Sequence, residues 1–126
     1  MKEVLVDTSV IIDFLRIKDK KSSYFYHLSR SNYQLYLSII SHAEFYAGKS
    51  VWQHTQAQKE LQIILSNMII VPLDEVVSQI AGHIRAGSHI DLYDAIIAAT
   101  AIRHKMPLAT MNLKHFIKVK NLELIE

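Results

Sequence analysis

The 126-residue chain contains no cysteine. A disulfide scaffold, a thiolate zinc site and a cysteine nucleophile are therefore excluded, and the composition agrees with a reducing compartment. Glycine and proline are scarce: Gly48, Gly82, Gly87, Pro72 and Pro107 are the full set. No Gly/Ser linker, low-complexity tract or internal repeat interrupts the chain. No apolar run approaches the ~20 residues that span a bilayer. Val4-Leu5-Val6 meets Asp7 too soon to form a signal-peptide core. Domains commonly run to about 100–150 residues, so the expectation is one compact domain over residues 1–126, soluble and cytoplasmic, with no membrane contact. The net charge is only +2, which permits contact with a polyanion without demanding it.

What is present is alternation. Short apolar runs occur at Val4–Val6, Leu35–Ile40, Met68–Val71, Leu108–Ala109 and Leu122–Ile125. Each is too brief for a buried helix and suits a strand covered on both faces. Between them lie segments with helical spacing. Val77, Ile80, Ala81 and Ile84 fall at i, i+3, i+4 and i+7, and Leu61, Ile64 and Leu65 do likewise. Ala95 to Ile102 is apolar almost all round, which predicts a central, buried helix. The order predicts an α/β fold: a mainly parallel central sheet of four to five strands with helices on both faces, a three-layer α/β/α sandwich. In such sheets ligands bind beyond the carboxyl ends of the strands.

Three acids fall there. Asp7 ends the first run and precedes Thr8 and Ser9; it is either an N-cap for the following helix or a functional carboxylate. Glu44 stands in Ser41-His42-Ala43-Glu44 after the second run, a spacing that by itself reads as a capping box. Asp94 follows Asp91 at N-cap spacing, and both suit the positive end of a helix dipole. Asp94, however, directly precedes the most apolar helix, where a half-desolvated carboxylate is costly without a cation or donors. Asn112 follows Leu108–Ala109 and has the ordinary reading of a turn residue. The pattern outweighs any member. Acids after three different strands converge on one sheet edge, and clustered carboxylates need a cation or a raised pKa. Hard oxygen ligands favour Mg²⁺ or Mn²⁺, and such an ion can activate water and brace the phosphoryl oxygens of a nucleic acid.

These residues also carry a resemblance. Val4-Leu5-Val6-Asp7-Thr8-Ser9 is similar to the opening motif of PIN-domain nucleases. Ser41-His42-Ala43-Glu44, Asp94-Ala95-Ile96-Ile97-Ala98-Ala99 and Pro107-Leu108-Ala109-Thr110-Met111-Asn112 resemble the motifs that follow, in order along nearly the whole chain. At this size the chain looks most like the VapC-type toxins of bacterial toxin–antitoxin pairs. The resemblance implies a PIN-like fold and an endoribonuclease dependent on Mg²⁺ or Mn²⁺. Asp7, Glu44 and Asp94 would hold the metal, with Thr8, Ser9 and Thr110 supporting them by hydrogen bonds. The family's fourth acidic position falls on Asn112. One firmly held metal is therefore implied, with a second arriving with RNA, and Asp91 supplies part of the missing charge. Water would attack phosphorus in line, leaving a 3′-hydroxyl and a 5′-phosphate. The implied partners are an RNA substrate, a second copy of the chain in a homodimer, and a cognate antitoxin laid along the active-site groove.

Two other readings compete. A receiver-like signalling module also gathers acids and Mg²⁺ at strand ends, but it needs two adjacent acids after its first strand, where Asp7 stands alone. A metal-free ribonuclease would use histidines, and none of the seven forms a His-x-x-x-His pair. Arg16, Lys18, Lys20 and Lys21 make one basic stretch and Lys114, Lys118 and Lys120 another, with solvated surface as the plain reading. Tyr24, Phe25 and Tyr26 are read as core or interface, and Trp52 as an early residue of the helix that carries Leu61–Leu65.

Overall fold

The computed structural model describes residues 1–125. Among them five strands form one sheet: β1 (Lys2–Val6), β2 (Tyr33–Ser38), β3 (Ile69–Val71), β4 (Leu108–Ala109) and β5 (Leu124–Ile125). Every neighbouring pair runs parallel, in the order β3-β2-β1-β4-β5. The helices are α1 (Thr8–Arg16), α2 (Tyr24–Arg30), α3 (Ile39–Ala47), α4 (Lys49–Gln53), α5 (Thr55–Ser66), α6 (Glu75–Ser88), α7 (Leu92–Arg103) and α8 (Leu113–Phe116). The predicted alternation of strands and helices therefore holds from end to end.

The three layers follow from side-chain alternation in β1. Val4 and Val6 enter one core with Val10, Ile11, Leu28, Phe45, Leu61 and Ile64, from α1, α2, α3 and α5. Leu5 points the other way, into a second core with Val77, Ala81, Ile97, Ala98 and Phe116, from α6, α7 and α8. A strand whose residues are buried on both faces reads as a continuous apolar run because each face has its own helical layer. The predicted central helix is α7, buried from Ala95 to Ala101.

Two helix boundaries differ from expectation. The second apolar run does not remain a strand to Ile40. Ser38 accepts a hydrogen bond from the Ile40 amide and so starts α3 inside the run. Ser41 consequently lies within the helix and Ser41–Glu44 is not a capping box; the cap is Ser38. The helix expected to join Trp52 to Leu61–Leu65 is broken at His54, which is extended (φ −127°, ψ 113°) and separates α4 from α5. The aromatic segment behaves as read, with Phe25 buried and its ring 5.1 Å from that of Phe14.

The strand order also locates the crevice. From β1 the chain moves outward through β2 to β3, then returns to the other side of β1 to form β4 and β5. Connections diverge between β1 and β4, and such a switch point leaves an opening at the carboxyl edge. The order differs from the 2-1-3-4-5 arrangement of receiver domains, which removes the fold basis for the signalling alternative.

Leu5 is fully buried at the centre of the sheet. Leu5→Ala is expected to destabilise the chain by about 2–5 kcal/mol in urea titrations. Ile63→Ala, on a side chain 67% exposed, is expected to change stability by no more than about 0.5 kcal/mol. Similar losses in the two variants would contradict the core assignment.

Candidate active site

Asp7 follows the last residue of β1, and its amide donates to the Ala109 carbonyl at 2.9 Å. That bond ties the end of β1 to β4 on the two sides of the switch point. Asp7 occupies the N-cap position of α1, yet its side chain caps nothing. Its Oδ2 instead accepts from Ser9 Oγ and Thr110 Oγ1, each at 2.7 Å. Each hydroxyl in turn accepts a backbone amide: Ser9 from Met111 at 3.1 Å, and Thr110 from Asn112 at 2.9 Å. A hydroxyl has one proton to give. With its lone pairs engaged by an amide, that proton is aimed at Asp7. The carboxylate is only 2% exposed and is held at one oxygen by these two charge-assisted bonds. Among the described residues no hydrogen bond engages Oδ1.

Thr8, the residue after Asp7, reaches the second acid. Its buried hydroxyl lies 2.9 Å from Glu44 Oε1 and 2.7 Å from Ser41 Oγ. Thr8 Oγ1 is the donor toward both, so its one proton is shared between the Glu44 carboxylate and Ser41 Oγ, which accepts. Ser41 is fully buried inside α3, three residues before Glu44. The sequence had offered it only as a cap. Its part in the network depends on Thr8, 33 residues away, and a buried serine in an apolar helix is the one local sign of it.

The third acid comes from α7. Asp91 is the N-cap, accepting from the Tyr93 amide at 3.1 Å, and Asp94 stands at the third helical position, half-buried. Burial raises the pKa of Asp94, and the charges of Asp7, Asp91 and Glu44 raise it further. His115, with Nδ1 3.6 Å from Asp94 Oδ2, opposes this and lowers it. The fields of Asp7, Glu44 and Asp94 therefore overlap in one place. Asn112 is less engaged. Its amide reaches Thr110, but its exposed side chain makes no capping bond to α8. Asp91, Asp94, His115 and Lys118 line one side of an open cleft with His89 and Ile90. His89 turns the chain there in the left-handed region (φ 56°), a conformation that non-glycine residues seldom adopt.

Among the described residues no lysine or arginine pairs with Asp7, Glu44, Asp91 or Asp94. No three His, Asp or Glu side chains among them stand close enough to enclose an ion. This is an open set of hard oxygen donors, short of positive charge. It suits Mg²⁺ or Mn²⁺: Mg²⁺ commonly takes one or two carboxylates and keeps several waters. The free oxygen of Asp7 would offer such an ion one ligand, with the charges of Glu44 and Asp94 acting on the same space and waters completing its shell. His89 and His115 line the cleft, but among the described residues no three His, Asp or Glu side chains stand close enough to build the closed cage of a structural zinc site.

The same chain was compared with known proteins. The family model for the PIN domain matches residues 4–122. Ribonuclease VapC1 of Methanocaldococcus jannaschii is 34% identical over 125 residues, covering 94% of this chain and 82% of its own length. Ribonuclease VapC10 of Mycobacterium tuberculosis is 31% identical over 118 residues, covering 90% and 85%. The solved complex VapBC2 of Rickettsia felis, bound to a DNA fragment from its promoter, contains a chain that superposes with a TM-score of 0.81 at 25% identity. The match covers 98% of this chain and 97% of that one.

Two outcomes follow from the geometry. The folded chain holds the Asp94 proton more tightly than the unfolded chain does. Stability from this group is therefore full below the ordinary carboxylate pKa and is lost as pH rises through the raised value. In melting curves without divalent metal, wild type is expected to lose ground to Asp94→Asn as pH climbs from the ordinary carboxylate range to neutral. Mg²⁺ is expected to narrow that gap, and parallel pH curves would contradict the repulsion. Second, Ser41→Ala favours the helix locally and should cost no more than about 1 kcal/mol of stability. It is nonetheless expected to weaken Mg²⁺ binding in calorimetry by about 10-fold, as loss of an outer support commonly does. Unchanged affinity would show that Ser41 only fills space.

Proposed function

The chain belongs to the PIN-domain family, and from that premise we propose its function. It is a divalent-metal-dependent endoribonuclease, the toxin of a toxin–antitoxin pair, and it hydrolyses RNA phosphodiester bonds. We read residues 1–126 as one PIN domain. One observation carries the assignment to this site. Asp7 is buried and held at one oxygen by Ser9 and Thr110, the next residue Thr8 bonds Glu44, and the charges of Asp7 and Glu44 act on Asp94, with no lysine or arginine among the described residues paired with the group.

Asp7, Glu44 and Asp94 are the proposed metal-binding and catalytic residues, with Mg²⁺ as the preferred ion and Mn²⁺ as its substitute. When bound, the cation supplies a Lewis acid that activates water and offsets charge on the phosphoryl oxygens. The chain's own residues prepare the place. Ser9 and Thr110 fix the Asp7 carboxylate in one orientation, so little reorganisation is left to the reaction. Thr8, backed by Ser41, aims Glu44. A cation that offsets the acidic neighbours of Asp94 would lower its raised pKa, which couples its charge to metal occupancy. Asp91 adds negative charge at the cleft without entering the hydroxyl network, and Asn112 contributes its amide to Thr110. Water, rather than a side chain or the RNA's own 2′-hydroxyl, would be the nucleophile, and cleavage of the P–O3′ bond would leave a 3′-hydroxyl and a 5′-phosphate.

An antitoxin protein is the regulatory partner, by likeness to a solved toxin–antitoxin complex that contains a chain of this fold. A homodimer and a cytoplasmic location complete the proposal. Among the described residues no helix is long and apolar enough to cross a membrane.

The test is direct. Purified protein with structured RNA is expected to cleave in Mg²⁺ or Mn²⁺, to be silent in EDTA, and to leave 3′-hydroxyl ends. Asp7→Asn and Asp94→Asn are expected to lower the rate by at least about 10²-fold while circular dichroism shows the fold retained. Cleavage in EDTA, 2′,3′-cyclic phosphate ends or full activity in either variant would overturn the assignment.

A further inference from the structure

The sheet face that packs against α6, α7 and α8 is not covered to its edge. Glu3 lies two residues before Leu5 and so shares its face of β1. Tyr36, the partner of Leu5 in β2, packs against the core on that side. Beside the end of α7 these two side chains open into a cavity of 310 Å³, lined also by His104 and by the apolar Ile69, Pro72 and Met106. Asp7 stands four residues after Glu3, about 13 Å further along the chain at strand spacing, and no residue of the acidic site lines this cavity.

The polar groups here accept more than they donate. Tyr36 gives its hydroxyl proton to Glu3 Oε2. That bond, then burial and the charge of Glu3, raise the phenol's pKa, so the proton stays on Tyr36 and the oxygen keeps lone pairs to offer. Among the described residues no hydrogen bond engages Glu3 Oε1, and no lysine, arginine or histidine forms a salt bridge with Glu3. The His104 imidazole, when uncharged, has one accepting nitrogen. His104 also stands at the C-cap of α7, where the helix dipole is negative. Arg103 and Lys105 are exposed, and neither lines the cavity.

Three acceptors around an unpaired carboxylate call for a cation with several protons on a small volume. A primary ammonium carries three N–H donors on a compact charge, whereas a guanidinium is a planar fork matched to both oxygens of a carboxylate. Tyr36 already occupies one of those oxygens, which favours the ammonium. The apolar wall suits an alkyl stem. The volume falls at the lower end of the ~300–1,000 Å³ range of small-molecule sites.

We propose that this cavity binds a small alkylammonium ligand, with the ammonium against Glu3, Tyr36 and His104 and the alkyl stem along Pro72 and Met106. The ligand is a free amine rather than the lysine of a partner protein, as the small, bounded volume favours. The site uses none of the residues of the ribonuclease reading, so each stands or falls without the other.

The experiment follows the amide resonances of the full chain, labelled with ¹⁵N, at pH 8 and constant ionic strength. The probes are n-butylammonium, n-butylguanidinium, 1-butanol and Nα-acetyl-lysine amide. n-Butylammonium is expected to shift the amides of Glu3, Tyr36 and His104 saturably, with a Kd of about 1 mM, within reach of so small a ligand. Glu3→Gln is expected to weaken it at least about 10-fold, as loss of a charged acceptor does. Tyr36→Phe, which keeps the ring, is expected to weaken it about 2–10-fold. Amide positions unchanged away from the cavity show that both variants keep the fold. Equal affinity in Glu3→Gln and wild type overturns the proposal, as do shifts that never saturate. So does 1-butanol or n-butylguanidinium binding as tightly as the amine, since the acceptors would then select nothing. Tighter binding of Nα-acetyl-lysine amide than of n-butylammonium also overturns it, because the cavity would then take a protein side chain.

Discussion

Like-charge repulsion among Asp7, Glu44 and Asp94 is the constraint around which the site is built. The pKa of Asp94 is raised by burial and by the charges of Asp7, Asp91 and Glu44, and only His115 works against them. A fold without use for this arrangement would pair the acids with lysine or arginine, or replace them. Here both basic stretches leave them unpaired: Lys20 bridges to Glu60 at 3.7 Å, and among the described residues no salt bridge joins Lys114, Lys118 or Lys120 to an acid. Electrostatic strain of this kind is relieved by a cation, which ties the stability of the chain to its loading.

The parallel sheet makes this arrangement possible. Asp7 and Thr110 leave β1 and β4 at the one place where the connections diverge, so the crevice has a floor of strand ends and walls of helix starts. Buried apolar layers on both faces of the sheet hold that floor rigid. The hydroxyls then do the fine positioning. Ser9 and Thr110 each accept a backbone amide and give their proton to Asp7. Thr8 forms a second set, its proton shared between Glu44 and Ser41. Hydroxyls orient a carboxylate without cancelling its charge, which a lysine in the same position would do.

Much of this was legible in the sequence. Runs too short for helices, each followed by helical spacing, gave the α/β alternation because burial on both faces removes polar residues from a strand. Asp7 and Glu44 stood out because each comes just after an apolar run, and Asp94 because it directly precedes the most apolar helix. The less legible parts depend on local or distant bonds that periodicity does not encode. Ile39 and Ile40 continue the apolar run of β2, so only the Ser38 cap reveals that α3 has begun. Ser41 looked like a cap because Ser-x-x-Glu spacing is the same on either side of a helix start; Thr8 decides the matter. The break at His54 has no glycine or proline to announce it. Asn112 was expected near the acids, and its amide is there while its side chain stays outside the hydroxyl network.

The central claim is that a divalent ion binds at the free oxygen of Asp7, with Asp94 and Glu44 beside it. Crystals of the chain grown with Mn²⁺ and measured near the manganese absorption edge test it most directly. The account predicts an anomalous peak within bonding distance of Asp7 Oδ1 and in contact, directly or through one water, with Asp94. A peak only at surface histidines, or no peak between β1 and α7 at millimolar Mn²⁺, would contradict it.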